Sequence, residues 1–414
     1  MNIFSISLKY LLYKPLSGLL NIILFGSGMT IIIVLLLFAN QFEKGLENNA
    51  RGIDLVVGAK GSPLQVVLCN IFHLDYPTGN ISLKEAEKIT KNRLIKNAIP
   101  LALGDSYQGF RIIGTTAQFL ALYDSSSAYL RDDVWNSSMK VLLGYSVANQ
   151  LDLRVGDHFS SQHGMAMEGM SHEEEGFIVS GILEPTGTVL DNLILTTIPN
   201  IWQIHNPDEK EKTDRAPIKS RLIPGIDLSG ADSTREITSV LIQYRSPVAA
   251  IQLPAYINKN TSLMAAVPAF EISRLYTLFG GGIDILEIFG YVLVGIASLS
   301  IFISLFNSMK ERKYDLAIFR TLGASRNTLF LVVLLEGIIL SSIGGLLGIF
   351  SGHLIMELIG KHILSSGSET FHGNIFYPEE LYFFFVALLL GLLASIIPAI
   401  SAMKIAISKI LSEK

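Results

Sequence analysis

The chain has 414 residues, half of them hydrophobic and only 16% charged, with a net charge of −4 and a mean hydropathy of +0.44. Soluble domains carry about 25% charged residues, so the shortfall points to a protein that is part membrane and part water-soluble, and the acidic balance gives no reason to expect nucleic acid as a partner. The single cysteine, Cys69, excludes an intrachain disulfide, which leaves a soluble part of roughly 240 residues to hold together by its own core.

Residues 1–15 open the chain with apolar and polar residues alternating at helical spacing (NIFSISLKYLLYK), which predicts an interfacial helix. Pro15 suits a break before the next element. Residues 16–40 form the first candidate span. Its apolar run is too long for a signal-peptide core and no small-residue cleavage site follows it, so a permanent anchor is expected.

Charges, prolines and turn signals run throughout 41–282, which predicts a soluble α/β (α+β) domain between spans one and two. Helices are expected over Ser82–Lys96, with Ser82 and Glu85 as a capping box, and over Ala117–Tyr123, Val141–Gln150 and Pro268–Phe279. Strands are expected over Ile53–Val57, Phe110–Gly114, Phe177–Leu183, Asn192–Thr197 and Ile237–Gln243, all rich in Ile, Val, Leu and Thr. The polar, proline-broken stretch Asn206–Glu236 reads as a long loop. This order suggests an outer subdomain, about 115–232, inserted between flanks that meet near the membrane. Gly280-Gly-Gly282 reads as a candidate hinge before span two.

Three further spans are expected at 283–308, 328–358 and 381–403, separated by a basic segment at 309–327 and a loop at 359–380, and followed by a tail at 404–414. The fold class is therefore a membrane protein with four transmembrane α-helices and a large extracytoplasmic domain. Lys9 and Lys14 precede span one, Lys310, Arg312, Lys313, Arg320 and Arg326 separate spans two and three, and Lys404, Lys409 and Lys414 follow span four. The positive-inside rule puts both termini and the 309–327 segment in the cytoplasm and the large domain outside.

The 309–327 segment carries the strongest functional signal. Arg312, Lys313, Asp315, Arg320 and Arg326 are charged, while Leu316, Ile318, Phe319 and Leu322 supply an apolar face. Gly323 can end the helix, and Ser325 or Asn327 can cap the next one. On hydropathy alone the segment is either a partner-docking helix or a basic juxtamembrane loop held by anionic lipid. Glu336 lies within span three, where a carboxylate faces protein or water, about two turns from the cytoplasmic edge. Gly344, Gly348 and Gly352 repeat every four residues, a pattern for close helix contact that serves a dimer or an intrachain contact equally. His353 and Glu357, one turn apart, either bind a cation or mark the outer rim of span three.

No G-x-x-x-x-G-K-[S/T] phosphate loop occurs in the sequence, and no catalytic triad or nucleophile elbow stands out. A non-catalytic chain powered by a separate ATPase is expected. The tract from His163 to Glu175 (HGMAMEGMSHEEE) combines imidazole, thioether and carboxylate groups. His163, His172 and Glu173 could ligate zinc or copper, or the tract is a polar hairpin tip of accidental composition.

The string Arg320-Thr-Leu-Gly-Ala-Ser325, followed by Glu336 and Gly344-Gly-Leu-Leu-Gly348, closely resembles the carboxy-terminal signature of FtsX-like ABC-transporter permeases, the MacB/LolC-type group. The layout of one span, a large outside domain and three more spans resembles the same group, and the outside domain resembles a MacB-type periplasmic domain. The resemblance implies a permease subunit whose coupling helix (Arg312, Lys313, Asp315, Phe319, Arg320, Gly323) docks on a cytoplasmic ABC ATPase that binds the ATP and Mg, with no cofactor in this chain. It also implies a second permease chain and mechanical transmission to the outside domain, and allows a periplasmic membrane-fusion or substrate-binding protein as a further partner. Two alternatives stay open: an FtsX-like regulator of a cell-wall hydrolase, and a metal-handling membrane protein using the His/Met tract. The cargo is not legible.

Overall fold

The computed structural model describes residues 3–13, 15–123, 135, 137–163, 176–205, 220–223, 226, 235–362 and 371–404. In chain order the elements are α1 (Ile3–Tyr13), α2 (Pro15–Ala50), β1 (Leu55–Ala59), α3 (Pro63–Asn70), β2 (Ile81–Ser82), α4 (Leu83–Thr90), β3 (Ile95–Tyr107), β4 (Phe110–Thr115), β5 (Lys140–Leu143), α5 (Tyr145–Leu151), β6 (His158–Phe159), β7 (Gln162–His163), β8 (Phe177–Ile182), β9 (Leu193–Thr197), α6 (Ile198–His205), β10 (Glu236–Ile237), β11 (Ser239–Tyr244), α7 (Pro247–Asn260), β12 (Leu263–Ala266), α8 (Pro268–Glu311), α9 (Lys313–Thr321), α10 (Arg326–His362) and α11 (Pro378–Met403). They fall into two compact units, one of residues 1–42, 279–363 and 371–414, the other of 43–278 and 364–370.

The first unit is helical. Among the described residues, α2, α8, α10 and α11 are long and apolar enough to cross a membrane; even α11, with 26 residues, rises about 39 Å against a hydrocarbon core of about 30 Å. The chain is a multi-pass membrane protein. The four helices share a core of Phe25, Ile32, Val294, Ala297, Leu340 and Ala387. Leu, Ile and Phe side chains such as Ile288, Leu299, Phe350, Phe385 and Leu393 stay exposed on the helix exteriors, as lipid-facing positions require.

The glycine stripe of span three is spent inside this chain. A Cβ on Gly344 would lie 3.0 Å from Phe25, one on Gly352 2.6 Å from Ile33, and one on Gly348 would overlap Met29. Phe25, Met29 and Ile33 recur every four residues on α2, so two helical rows interdigitate where only glycine leaves room. Gly323, at φ +101°, ends the turn after α9 in a conformation that disfavours any side chain. Ser325 is the cap of α10, its Oγ accepting from the Thr328 N–H at 3.1 Å. The candidate hinge at Gly280–Gly282 lies inside α8, which runs unbroken through the three glycines.

Among the described residues the second unit is built on a ten-stranded sheet in the order β12-β1-β11-β3-β4-β9-β5-β8-β6, with β7 pairing off β3 and a separate β10-β2 pair. Most pairs are antiparallel, but β4 with β9 and β5 with β8 are parallel. The core is one cluster that includes Leu55, Ile112, Val141, Phe177, Ile194 and Ile242. Strand β4 joins the flanking and outer parts of the expected domain, because it pairs with β3 of the flank on one side and, at Arg111–Thr115, with Leu193–Thr197 of the outer part on the other. The sheet therefore passes through the inner and outer regions without a break.

Local structure departs from expectation in three places. The helix expected over Ser82–Lys96 ends at Thr90, since Ile95 onward is taken into β3. Its capping box does not form: Ser82 makes no side-chain cap, and Glu85 accepts from Ser262 instead. The helix expected over Val141–Gln150 divides into β5 and α5, because Val-Leu-Leu is a fully buried run that only sheet pairing distinguishes from helix. Between them Gly144 is required, since a Cβ there would overlap the carbonyl oxygens of Leu190 and Asp191.

Candidate functional site

Helix α9 is short and two-faced. Leu316 and Ala317 are buried, and Leu316 packs with Met309, Leu329, Val333, Ala399 and Ala402, with Phe319 against the same cluster. The other face carries Tyr314, Ile318 and Leu322, which are 40%, 37% and 77% exposed and recur every fourth residue. That spacing aligns them in one stripe. Lys313 and Asp315 flank it, both exposed.

Arg312, at the junction of α8 and α9, is turned inward. Its Nη1 donates to Glu336 Oε1 at 3.1 Å, its Nη2 reaches the Tyr10 carbonyl oxygen at 3.5 Å, and its guanidinium carbon lies 4.3 Å from the centre of the Tyr10 ring. The ion pair is largely enclosed, with the two side chains 13% and 3% exposed. Ser7 Oγ donates to the Val332 carbonyl at 3.0 Å, one turn from Glu336, and Tyr10 meets Phe319 edge to face at 6.4 Å. Burial pushes the Tyr10 phenol up to about 12, with the charge of Asp315 adding to the effect. The amphipathic α1, the end of span two, α9 and span three thus converge on one charge pair. A cavity of about 250 Å³ adjoins it, lined in part by Ser17, Ser304, Ser308 and Glu311.

These contacts redistribute the residues singled out from sequence. Arg312 is turned inward, held by Glu336 and Tyr10. Arg320 is only half-buried, but its Nε is enclosed without a hydrogen-bond partner among the described residues. The pairing of Arg312 with Glu336 was missed; the signal was present, since a carboxylate inside a span calls for a cation and Arg312 is the first arginine after span two. The apolar residues of the segment divide between two faces: Leu316 is buried, while Ile318 and Leu322 are exposed.

At the other end of α10, His353 and Glu357 do not converge. His353 Nδ1 faces the Gly373 carbonyl at 2.5 Å and Nε2 faces Glu380 Oε2 at 2.8 Å, while Glu357 accepts from the Gly373 N–H and pairs with Lys361 at 2.8 Å. A carbonyl only accepts, so Nδ1 carries a hydrogen, and Nε2 lies within hydrogen-bond distance of the buried Glu380 carboxylate. In the His/Met tract, the backbone of His163 lies in β7, paired with Asp105. His172 and Glu173 lie outside the described residues. No group of three or more His, Cys, Asp or Glu positioned for a metal exists among the described residues.

Residues 287–407, from the middle of α8 to beyond the end of α11, match the family described as FtsX-like permease C-terminal. The chain is similar to FtsX-like permeases of the MacB and LolE kind. It is 24% identical over 420 residues to LolE, the lipoprotein-releasing system transmembrane protein of Haemophilus influenzae, covering 93% of this chain and 91% of that one. It is 22% identical over 272 residues to MacB, the macrolide export ATP-binding/permease protein of Rhodopirellula baltica, covering 61% of this chain and 39% of that one. The chain thus spans well under half the length of that MacB and nearly all of that LolE. Among solved structures, the periplasmic region of MacB from Actinobacillus actinomycetemcomitans aligns with 56% of this chain and 97% of its own, at 11% identity and a TM-score of 0.32. The extracellular domain of the ABC-type transporter YknZ aligns with 51% and 98%, at 10% identity and a TM-score of 0.27.

Proposed function

We propose that this chain is the non-catalytic membrane subunit of an ABC transporter and that α9 is the helix on which a cytoplasmic ATPase docks. The observation that carries the reading is the exposed stripe of Tyr314, Ile318 and Leu322 on a helix whose opposite face is buried. A helix laying such a stripe into a groove is a recurring recognition mode. Lys313 and Asp315 at its border favour orientation over raw affinity.

In this reading Arg312 and Glu336 transmit rather than dock. A push on α9 reaches span three through the ion pair and α1 through Tyr10, within a packed core that shifts between discrete arrangements rather than deforming smoothly. The motion then passes along 15–50 and 268–311, the segments through which the chain enters and leaves the α/β unit. A second permease chain, which the family resemblance implies, would have to use a face other than the glycine stripe of span three. The FtsX-like similarity over 287–407 supports the permease class; the cargo is carried by none of these features.

The test is Ile318→Asp with Leu322→Asp in the chain co-expressed with its ATPase. Both side chains point away from the core, so thermal melting in detergent should be unchanged. ATPase co-purification should fall at least tenfold. Retention of the ATPase, with its turnover still responsive to this chain, would remove α9 as the docking helix.

A further inference from the structure

The α/β unit contains a second feature that the transporter reading leaves unused. Three clefts run side by side, the first two bordering α4. One, of about 670 Å³, is lined by Lys84, Lys88 and Lys91 with Glu85. The next, of about 410 Å³, is lined by Lys91, Arg93, Lys96, Arg221 and Arg245, with no Asp or Glu among the described residues of its wall. The third, of about 610 Å³, shares Gln118, Arg221 and Leu222 with the second and is lined otherwise by hydroxyl and amide groups, among them Thr116, Ser137, Asn200 and Gln203, with Trp135. It lies outside the carboxyl ends of the parallel strands β4 and β9, where α/β sheets commonly leave a ligand crevice.

The charge here runs against the chain as a whole. The chain carries a net charge of −4, yet among the described residues lining these clefts seven cations stand against one carboxylate, and that carboxylate is engaged by Ser262. None of the five cations in the middle cleft has an ion-pair partner among the described residues. The wall bearing Arg221 is also built rather than incidental. Glu87, 4% exposed on α4, accepts from the backbone N–H groups of Arg221 and Leu222 at 2.8 and 3.0 Å and from the Ser220 hydroxyl. Those bonds fix the turn that separates the basic cleft from the hydroxyl-lined one.

We propose that the paired clefts bind a phosphate ester with a hydroxyl-bearing body, the phosphate among Arg93, Arg221 and Arg245 and the body against the Thr, Ser, Asn and Gln side chains beside Trp135. Guanidinium groups match phosphate oxygens in a two-pronged geometry, and the combined volume exceeds what inorganic phosphate needs. The site is independent of whether α9 docks an ATPase.

Calorimetric titration of the full chain in non-ionic detergent tests it, with glycerol 3-phosphate, inorganic phosphate, dihexanoylphosphatidylglycerol and uncharged glycerol as probes. Saturable binding of the phosphate esters is expected, weakened at least tenfold by Arg93→Gln/Arg221→Gln/Arg245→Gln, whose exposed, unpaired side chains leave melting unchanged. If the short-chain lipid binds tenfold tighter than glycerol 3-phosphate, the natural source is a lipid headgroup; equal affinity indicates a soluble phosphate ester. Glu87→Ala removes a negative charge but releases the 220–222 turn, so a built site predicts weaker binding, whereas tighter binding would mean a diffuse field and no site. Binding of glycerol as strong as that of its phosphate, or affinity untouched by the triple variant, would overturn the proposal.

Discussion

The two units bury ionisable groups by different means. In the helical unit, Glu336 takes Arg312 and Glu380 takes His353. In the α/β unit, Glu87 takes the backbone of a turn, and Asp191, wholly buried, accepts from the N–H groups of Thr186 and Gly187 at 2.7 to 3.1 Å and from the Thr186 hydroxyl at 2.8 Å. The reason is the supply of donors. A spanning helix spends its backbone N–H groups within itself, so a carboxylate in its middle must find a side chain. A sheet domain has turns with N–H groups to spare. The exceptions in the helical unit fit the rule: Glu380 also accepts from the Tyr377 N–H, at the start of α11, and Glu357 from Gly373, outside any helix.

The strongest way to break this contrast is the Arg312 pair. Arg312→Met alone strands a buried carboxylate and should cost about 3–5 kcal/mol, while Arg312→Met with Glu336→Leu should recover most of the loss. Melting of the three proteins in detergent decides it; a double variant no better than the single one would mean that the pair is not the linkage described. Asp191→Ala should cost about 2–3 kcal/mol by orphaning donors of the 186–188 turn. No second-site charge change should rescue it, since its partners are mostly backbone. A loss below about 0.5 kcal/mol on denaturant unfolding would sink that reading.

A smaller effect sharpens the same comparison. His73 is buried with both ring nitrogens unpartnered among the described residues, and burial, with the nearby Arg111 charge, lowers its pKa from 6.5 to about 3. Between those values the unfolded chain binds the extra proton and the folded one does not. The contribution is therefore complete above about pH 6.5 and declines as pH falls toward 3. At pH 5 about 2 kcal/mol should be gone relative to pH 7. His73→Leu should remove that part of the pH dependence; identical slopes for both proteins would refute it.

Much was legible in single segments. The four spans follow from apolar length alone, and the strands at Phe110, Phe177 and Leu193 from composition. Gly323 and Ser325 were legible as stop and start signals because helix ends are local chemistry. What failed depended on partners distant in sequence. Val141–Leu143 became a strand because β8 and β9 lie beside it, and Ile95–Tyr107 became one strand because β11 and β4 were both there to receive it.

The candidate site divides in the same way. Sequence by itself determined that 309–327 is a short amphipathic helix between two spans, because hydrophobic length, charge and helix punctuation are properties of contiguous residues. Only the tertiary structure decided which of its sides is covered, that Arg312 faces Glu336, and that the glycine stripe packs on α2. Those outcomes depend on which surfaces meet across hundreds of residues, and a buried charge or a missing Cβ acquires its meaning from the group placed opposite it.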